Sequence, residues 1–182
     1  MDWRQKAAGL LIGIFVGQFL LFMIVAEALY PGYSVSHNYI SDLGVGRTAP
    51  VFNTSIILLG LALIAASVLM DSQPLPFRVL IALSGIGAAG VGIFPETTGI
   101  PHTIFSLIVF LFASLAPLAL LRAGRRPAVF LWTAFGLVGL IALVLYVTGH
   151  FLGLGHGGME RLIVYPNMVW ALSFSGQVVN DK

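Results

Sequence analysis

Six long apolar stretches run along the chain, separated by short polar segments. A helix that crosses a bilayer needs about 20 mostly apolar residues. Backbone polar groups must be paired inside lipid, and these stretches lack the alternation of barrel strands, so we expect six helices. The predicted spans are about Ala7–Leu29, Val51–Met70, Arg78–Phe94, Thr103–Leu121, Ala128–Gly149 and Glu160–Val179.

The composition excludes a soluble protein. Of the 182 residues, 58% are hydrophobic and only 9% are charged, whereas an ordinary soluble domain has about 25% charged residues. The nine basic residues are scattered, so no basic patch indicates a nucleic-acid partner. Cysteine is absent, which excludes thiolate metal sites and disulfide bonds. The sequence predicts an all-α, polytopic membrane protein with one domain over residues 1–182 and membrane lipid as its partner, and it leaves the oligomeric state open.

The positive charges predict the orientation, because cytoplasmic segments carry an excess of Lys and Arg. With the N-terminus inside, only Arg47 and Arg161 lie outside. The remaining basic residues then lie on the cytoplasmic side: Arg4, Lys6, Arg78, Arg122, Arg125, Arg126 and Lys182. We therefore expect both termini in the cytoplasm.

This orientation gathers the side chains capable of chemistry at the outer face. There, His102 is predicted to begin the fourth span, His150 to end the fifth and Glu160 to begin the sixth. Pro166 and Asn167 are expected to interrupt the sixth span. The outer segments hold all four histidines and three of the acids, namely His37, His102, His150, His156, Asp42, Glu96 and Glu160.

Small residues in the third span predict close helix packing. The string from Gly85 to Gly90 spells G-x-G-x-x-G, but a dinucleotide site needs a preceding strand, which a membrane span does not provide. In lipid, small residues let helix backbones approach closely.

Several outer motifs resemble those of a known family. They are Asn38-Tyr39-Ile40-Ser41-Asp42-Leu43-Gly44, Phe94-Pro95-Glu96, Pro101-His102-Thr103 and Gly157-Gly158-Met159-Glu160-Arg161-Leu162. Together they resemble an uncharacterised family of six-helix prokaryotic membrane proteins. The Ile-Ser-Asp-x-Gly string is more distantly similar to membrane proteins of the FRAG/DRAM/Sfk type. The resemblance implies a six-helix fold, a prokaryotic plasma membrane and functional outer motifs, and it names no substrate.

The first functional hypothesis is a zinc-dependent site. His102, His150, His156 and Asp42 are the ligand types of catalytic zinc, which keeps one position open for water. Zinc would lower the pKa of that water to about 7 and supply a hydroxide that attacks an ester or amide. The alkaline-ceramidase and progestin-receptor-like superfamily, which the chain resembles in its Ser, Asp and His residues, also combines these residues around zinc. Asp42, His102 and Glu160 are then the predicted catalytic residues.

A metal-free site is the second hypothesis. A His–carboxylate pair would act as general acid and base, and Ser41 would be the nucleophile. The chain has no G-x-S-x-G elbow around Ser41. Ser41 and Asp42 also form a good helix-capping or turn pair, which is the structural alternative.

Substrate binding is predicted around Arg161. A guanidinium beside the Gly157–Gly158 backbone suits a phosphate group, and a structural ion pair with Glu160 or Asp42 is the alternative. The residues predicted to bind the substrate are Arg161, Tyr165, Asn38 and Glu96.

Two further classes of function stay open. Polar residues inside spans can mark an ion path, and the candidates are Gln18, Glu27, Asn167 and Gln177. A polar cluster at one face, without a visible inverted repeat, favours a one-sided site over a transporter. The sequence therefore favours a lipid-directed enzyme, a zinc-dependent hydrolase among them, with a non-catalytic lipid- or anion-binding or scaffold protein as the alternative.

Overall fold

A computed structural model of the chain describes residues 3–121 and 127–180. Within them every regular element is helical, and six helices are long and apolar enough to cross a membrane. The prediction of an all-α, multi-pass membrane protein is thereby confirmed. The helices are α1 (Trp3–Leu29), α2 (Ala49–Leu69), α3 (Leu75–Ile93), α4 (Ile100–Leu115, continued by a 3₁₀ helix over Ala116–Leu120), α5 (Pro127–Val147) and α6 (Gly155–Asn180).

The six helices form an antiparallel ring. Each helix packs against the next along the chain, and α6 returns to pack against α1. Segments 30–48, 94–99 and 148–154 lie together at one end of the ring, which we call the polar end. Short 3₁₀ helices over Ser41–Gly44, Gly46–Thr48 and Glu96–Thr98 shape these segments. The outer segments of the sequence analysis are therefore neighbours in the fold.

Glycine contacts hold α2 against α3. A Cβ added at Gly60 would lie 2.5 Å from both the amide nitrogen of Ala89 and the carbonyl oxygen of Gly85. On the other side of α3, a Cβ at Gly87 would lie 2.5 Å from the amide nitrogen of Val109 in α4. These distances confirm that the small residues of the third span serve close packing.

Helix α6 differs from its prediction in two ways. It begins at Gly155, so that Glu160 lies in its second turn instead of at its start. It also continues through Pro166, and the expected interruption is wrong. The Nδ2 group of Asn167 donates to the carbonyl of Ile163 at 2.9 Å and to the Ser114 hydroxyl of α4 at 2.8 Å.

The opposite end of the ring carries a simpler set of polar contacts. Arg4 of α1 forms a 2.5 Å ion pair with Asp71, which follows α2. The Nε group of Arg78 in α3 donates to the carbonyl of Ser67 at 2.9 Å. Four of the basic residues behind the predicted orientation lie outside the described residues, and the orientation stays a prediction: Arg122, Arg125, Arg126 and Lys182.

Candidate functional site

Arg161 is the centre of the polar end. It is 4% exposed, and its Nη2 group donates to Glu27 of α1 and to the Tyr33 hydroxyl, both at 2.5 Å. Its Nη1 group donates to three carbonyl oxygens, those of Val35 at 3.1 Å, Asn38 at 3.3 Å and Gly157 at 3.0 Å. The guanidinium thus binds the segment after α1 to helix α6.

The same contacts decide what Arg161 is able to bind. A phosphate would need free guanidinium N–H groups, and the Nη groups here already have protein acceptors. The ion-pair partner is Glu27, not Glu160 or Asp42 as the sequence-based alternative has it. The side chain therefore holds the fold together at this end, and Glu27 is paired rather than available to an ion path.

Glycine residues at the start of α6 make this approach possible. Gly155 has a positive φ of 74°, a conformation that side chains with a Cβ rarely adopt. A Cβ at Gly157 would overlap the carbonyl oxygen of Asn38 and would lie 2.5 Å from that of Val35. At Gly157, the preceding loop thus occupies the space in which the Gly157–Gly158 backbone was predicted to bind an anion.

Asp42 and Glu96 form a carboxyl pair beside Ser41. The Asp42 carboxylate accepts hydrogen bonds from the Asn38 side chain at 2.9 Å and from the Tyr39 amide at 3.0 Å. Burial, together with the hydrogen bond and the negative charge of Asp42, raises the pKa of Glu96 to about 7. Two neighbouring carboxyl groups cannot both ionise easily, so the pair holds a proton near neutral pH.

Ser41 connects this carboxyl pair to the interior of the bundle. Its hydroxyl donates to Glu96 at 3.4 Å, and the residue also lines a cavity that extends between the helices. Glu160 lies at the same place, 5% exposed, and accepts a hydrogen bond from the Ile40 amide at 2.5 Å. Ser41, Glu160 and Glu96, which the sequence analysis assigned to the site, therefore come together.

The cavity has a volume of about 110 Å³. Its wall comes from α1, α2, α3, α4 and α6 and is mainly apolar, with Phe19, Phe52, Ile81, Phe110 and Trp170 among the larger side chains. Cavities of about 150 Å³ lined by Leu, Ile and Phe are known to stay dry and to bind benzene. This cavity is thus suited to a small apolar group. A polar group attached to it would meet Ser41 and Glu160.

The histidines have separate partners. His102 is 8% exposed and its Nδ1 donates to the carbonyl of Phe94 at 2.8 Å. The exposed His150 hydrogen-bonds through Nδ1 to the Thr148 hydroxyl at 3.1 Å. His37 contacts serines of its own loop.

His156 belongs to an aromatic cluster. Its Nδ1 hydrogen-bonds to the Tyr39 hydroxyl at 3.2 Å, and its ring centroid lies 4.2 Å from that of Phe151. Tyr146 of α5 contacts both Tyr39 and Phe151 at the edges of their rings. Burial raises the pKa of Tyr39 above its usual value.

The proposed zinc ligands do not converge. Over residues 3–121 and 127–180, no three His, Asp or Glu side chains lie close enough together to hold a metal ion. His102, His150, His156 and Asp42 are all among the residues described, and each has another partner. Glycines separate His150 from His156, and spacing along such a loop does not fix where the imidazoles lie.

Two contributors to the polar end were not assigned to the site by the sequence analysis. Tyr33 accompanies Arg161, and burial raises its pKa to about 12. Tyr39 meets His156 across 117 positions of sequence. Tyr39 lies inside the Asn38–Gly44 motif, which was the available signal, whereas Tyr33 lies outside the quoted motifs. Tyr165, predicted to bind the substrate, is 39% exposed on α6.

The comparisons with known proteins identify a family but no activity. A family described as "Protein of unknown function (DUF998)" matches residues 12–176, which is nearly the whole chain. No curated protein and no solved structure matches the chain. The more distant likeness to the FRAG/DRAM/Sfk type stays a prediction. The chain belongs to the DUF998 family of proteins of unknown function.

Proposed function

We propose that the protein is a lipid-directed membrane enzyme that takes a small apolar part of a lipid into the bundle and acts on the polar group next to it. One observation carries the proposal: the apolar cavity between the helices ends at Glu160 and Ser41, next to the Asp42–Glu96 pair. Binding pockets are typically apolar with a few placed polar groups. A lipid is the substrate class that supplies both parts.

The carboxyl pair supports general acid–base chemistry. A carboxyl whose pKa lies near the working pH is well placed to exchange protons, and Glu96 has a pKa of about 7. In ester or amide hydrolysis, the ionised member of the pair would take a proton from water as the water oxygen attacks the carbonyl carbon. The protonated member would donate its proton to the carbonyl oxygen. Collapse of the tetrahedral intermediate would then return the proton on the former carbonyl oxygen to the member that donated it and break the bond to the leaving group, which takes up the proton that the other member had removed from water.

Ser41 and Glu160 support this chemistry from the cavity side. Ser41 donates to Glu96 and would orient the polar end of the lipid beside the pair. Glu160 is held by the Ile40 amide, which fixes a carboxyl group at the end of the apolar wall. The zinc-dependent form of the hypothesis is not carried forward, because the described residues do not bring three ligands together.

Lipid turnover by the purified protein tests the proposal. The untagged protein in nanodiscs of native lipid is incubated, and released fatty acids and headgroups are measured by mass spectrometry. We expect time-dependent release, reduced by about 10²–10⁴-fold in Asp42→Asn and Glu96→Gln, which is the usual contribution of a general acid or base. The exposed Asp71→Asn variant, at the other end of the ring, is the matched control. If Asp42→Asn and Glu96→Gln release as much product as Asp71→Asn, the catalytic assignment of Asp42 and Glu96 is contradicted.

A binding protein without turnover is the second candidate. Asp42 accepts two hydrogen bonds from its own loop, which is the pattern of a carboxylate that caps a turn. In that case the lipid would co-purify with the protein and remain unchanged. Stoichiometric lipid without any product would favour this candidate over the enzyme.

A further inference from the structure

The cavity has an asymmetric charge distribution at its polar end. Among the described residues that line it, Glu160 alone is an acid or base, and no lysine, arginine or histidine lines it. The wall otherwise consists of apolar side chains, serines and Asn167. From this we infer that the cavity selects lipids whose polar end is an amine, carried as an ammonium group, over lipids that end in a phosphate or carboxylate. The inference rests on the lipid binding proposed above.

Arg161, which follows Glu160 in the sequence, already has partners for both of its Nη groups. Its Nη2 group is ion-paired with Glu27 at 2.5 Å, and its Nη1 group donates to carbonyl oxygens. Arg47 is exposed on the Gly46–Thr48 turn and does not line the cavity. An anionic group would therefore meet Glu160 with no cationic side chain among the described residues that line the cavity. Burying such a charge without a partner is strongly unfavourable.

The acceptors at this end match a donor. Glu160 uses its Oε2 atom for the Ile40 amide, and an ionised carboxylate has a second oxygen and further lone pairs for other donors. The Ser41 hydroxyl can accept as well as donate. An ammonium group carries three donors and no acceptor. It would thus pair with Glu160 and Ser41, while the Asp42–Glu96 pair beyond Ser41 adds further negative charge.

Trp170 provides a direct measurement of binding. It lines the cavity and is 2% exposed, so bromine in the surrounding lipid does not touch it. Trp3 and Trp132 are replaced by phenylalanine, which leaves Trp170 as the only indole. 4-Bromobenzylamine, 4-bromobenzyl alcohol, 4-bromobenzyl phosphate and 4-bromophenylacetate, whose benzene-sized apolar parts suit a cavity of about 110 Å³, are then titrated into nanodiscs, and the bromine in each probe quenches Trp170 only from within the cavity.

We expect the amine to bind more than about tenfold more tightly than the phosphate and the carboxylate, with the alcohol between them. Ala113 lines the cavity, and Ala113→Phe should abolish quenching by every probe. Glu160→Gln should reduce the amine-to-phosphate ratio to near one. Because Glu160 is buried, the thermal unfolding of the Glu160→Gln variant is recorded before its binding is measured. If this variant does not fold, the same ratio is measured in Glu96→Gln, where it should fall partially.

The outcomes separate this inference from the proposed function. If the phosphate or the carboxylate binds as tightly as the amine, or if the alcohol binds as tightly as the amine, the inference is overturned, while binding of an apolar group in the cavity stands. If no probe quenches Trp170, binding of an apolar group in the cavity fails, and the proposed function fails with it. Quenching that persists in Ala113→Phe also places the probes elsewhere and overturns both.

Discussion

Arg161→Met is the most informative test of the polar end, because one buried side chain connects α1, the following loop and α6. The substitution keeps an unbranched, apolar side chain and removes the charge together with its contacts to Glu27, to Tyr33 and to three carbonyl oxygens. Breaking a buried ion pair by removing one partner costs about 3–5 kcal/mol, mainly because the other charge is left uncompensated. The side chains of Arg161 and Glu27 are 5% and 20% exposed, so this range applies.

The chain supplies its own control at the opposite end. Arg4 and Asp71 form an ion pair with the same 2.5 Å distance, but their side chains are 38% and 42% exposed. Solvent screening reduces such a pair to about 0–1 kcal/mol. Arg4→Met should therefore change stability little, although the nitrogen–oxygen distance in the two ion pairs is identical. Burial, not distance, sets the difference.

Equilibrium unfolding in detergent micelles, followed by circular dichroism, measures both variants. A loss of about 3–5 kcal/mol corresponds to a fall in Tm of roughly 10 °C for a chain of this size. The double variant Arg161→Met with Glu27→Met should cost less than the sum of the two single variants, since no buried charge remains. Tyr33→Phe, which removes one hydrogen bond, should cost about 1–2 kcal/mol and covers the case in which Arg161→Met does not fold. If Arg161→Met lowers the unfolding free energy no more than Arg4→Met does, the reasoning is refuted.

Three further predictions concern packing, proton binding and orientation. Gly60→Ala should lower the unfolding free energy by about 1–3 kcal/mol, because its Cβ meets backbone atoms of α3; in the same assay Gly17→Ala, with open space around it, should be neutral or stabilising by up to about 1 kcal/mol. The pKa of Glu96 is raised from 4.5 to about 7 in the fold, so the native state binds more protons than the unfolded state and stability should fall as pH rises between these values. A flat Tm over this range, or an unchanged slope in Glu96→Gln, would count against the shared proton. An impermeant maleimide applied to whole cells should label Thr97→Cys at the polar end but not Ser72→Cys at the other end, and the reverse result would invert the predicted orientation.

Sequence patterns predicted the spans because the bilayer imposes a simple rule on length and apolarity. The antiparallel arrangement then brings alternate connections to one end, which is why the sequence alone assigns Ser41, Glu96 and Glu160 to a common region. The contacts between individual side chains could not be predicted from the sequence. The partner of Arg161 is Glu27, 134 positions away, and nothing in the spacing distinguishes it from Asp42 or Glu160.

The cavity and the histidine positions lay beyond sequence patterns for physical reasons. A cavity depends on the volumes that five helices leave between them, not on any one pattern. The imidazoles of His150 and His156 are oriented by a loop in which Gly149, Gly153 and Gly155 all have positive φ angles. Such a loop has many accessible shapes until it packs against Ser36 and Asn38.

The contact between α6 and α1 has a consequence for biosynthesis. The ring closes through its first and last helices, so the nascent chain contains five helices and an open side until the sixth has entered the membrane. Until then Glu27 lacks its arginine, and the carbonyl groups of Val35 and Asn38 lack their donor. The polar end is therefore completed only when α6 has entered the membrane, and a chain truncated before Gly155 would expose an unpaired carboxylate to the quality-control machinery that monitors membrane insertion.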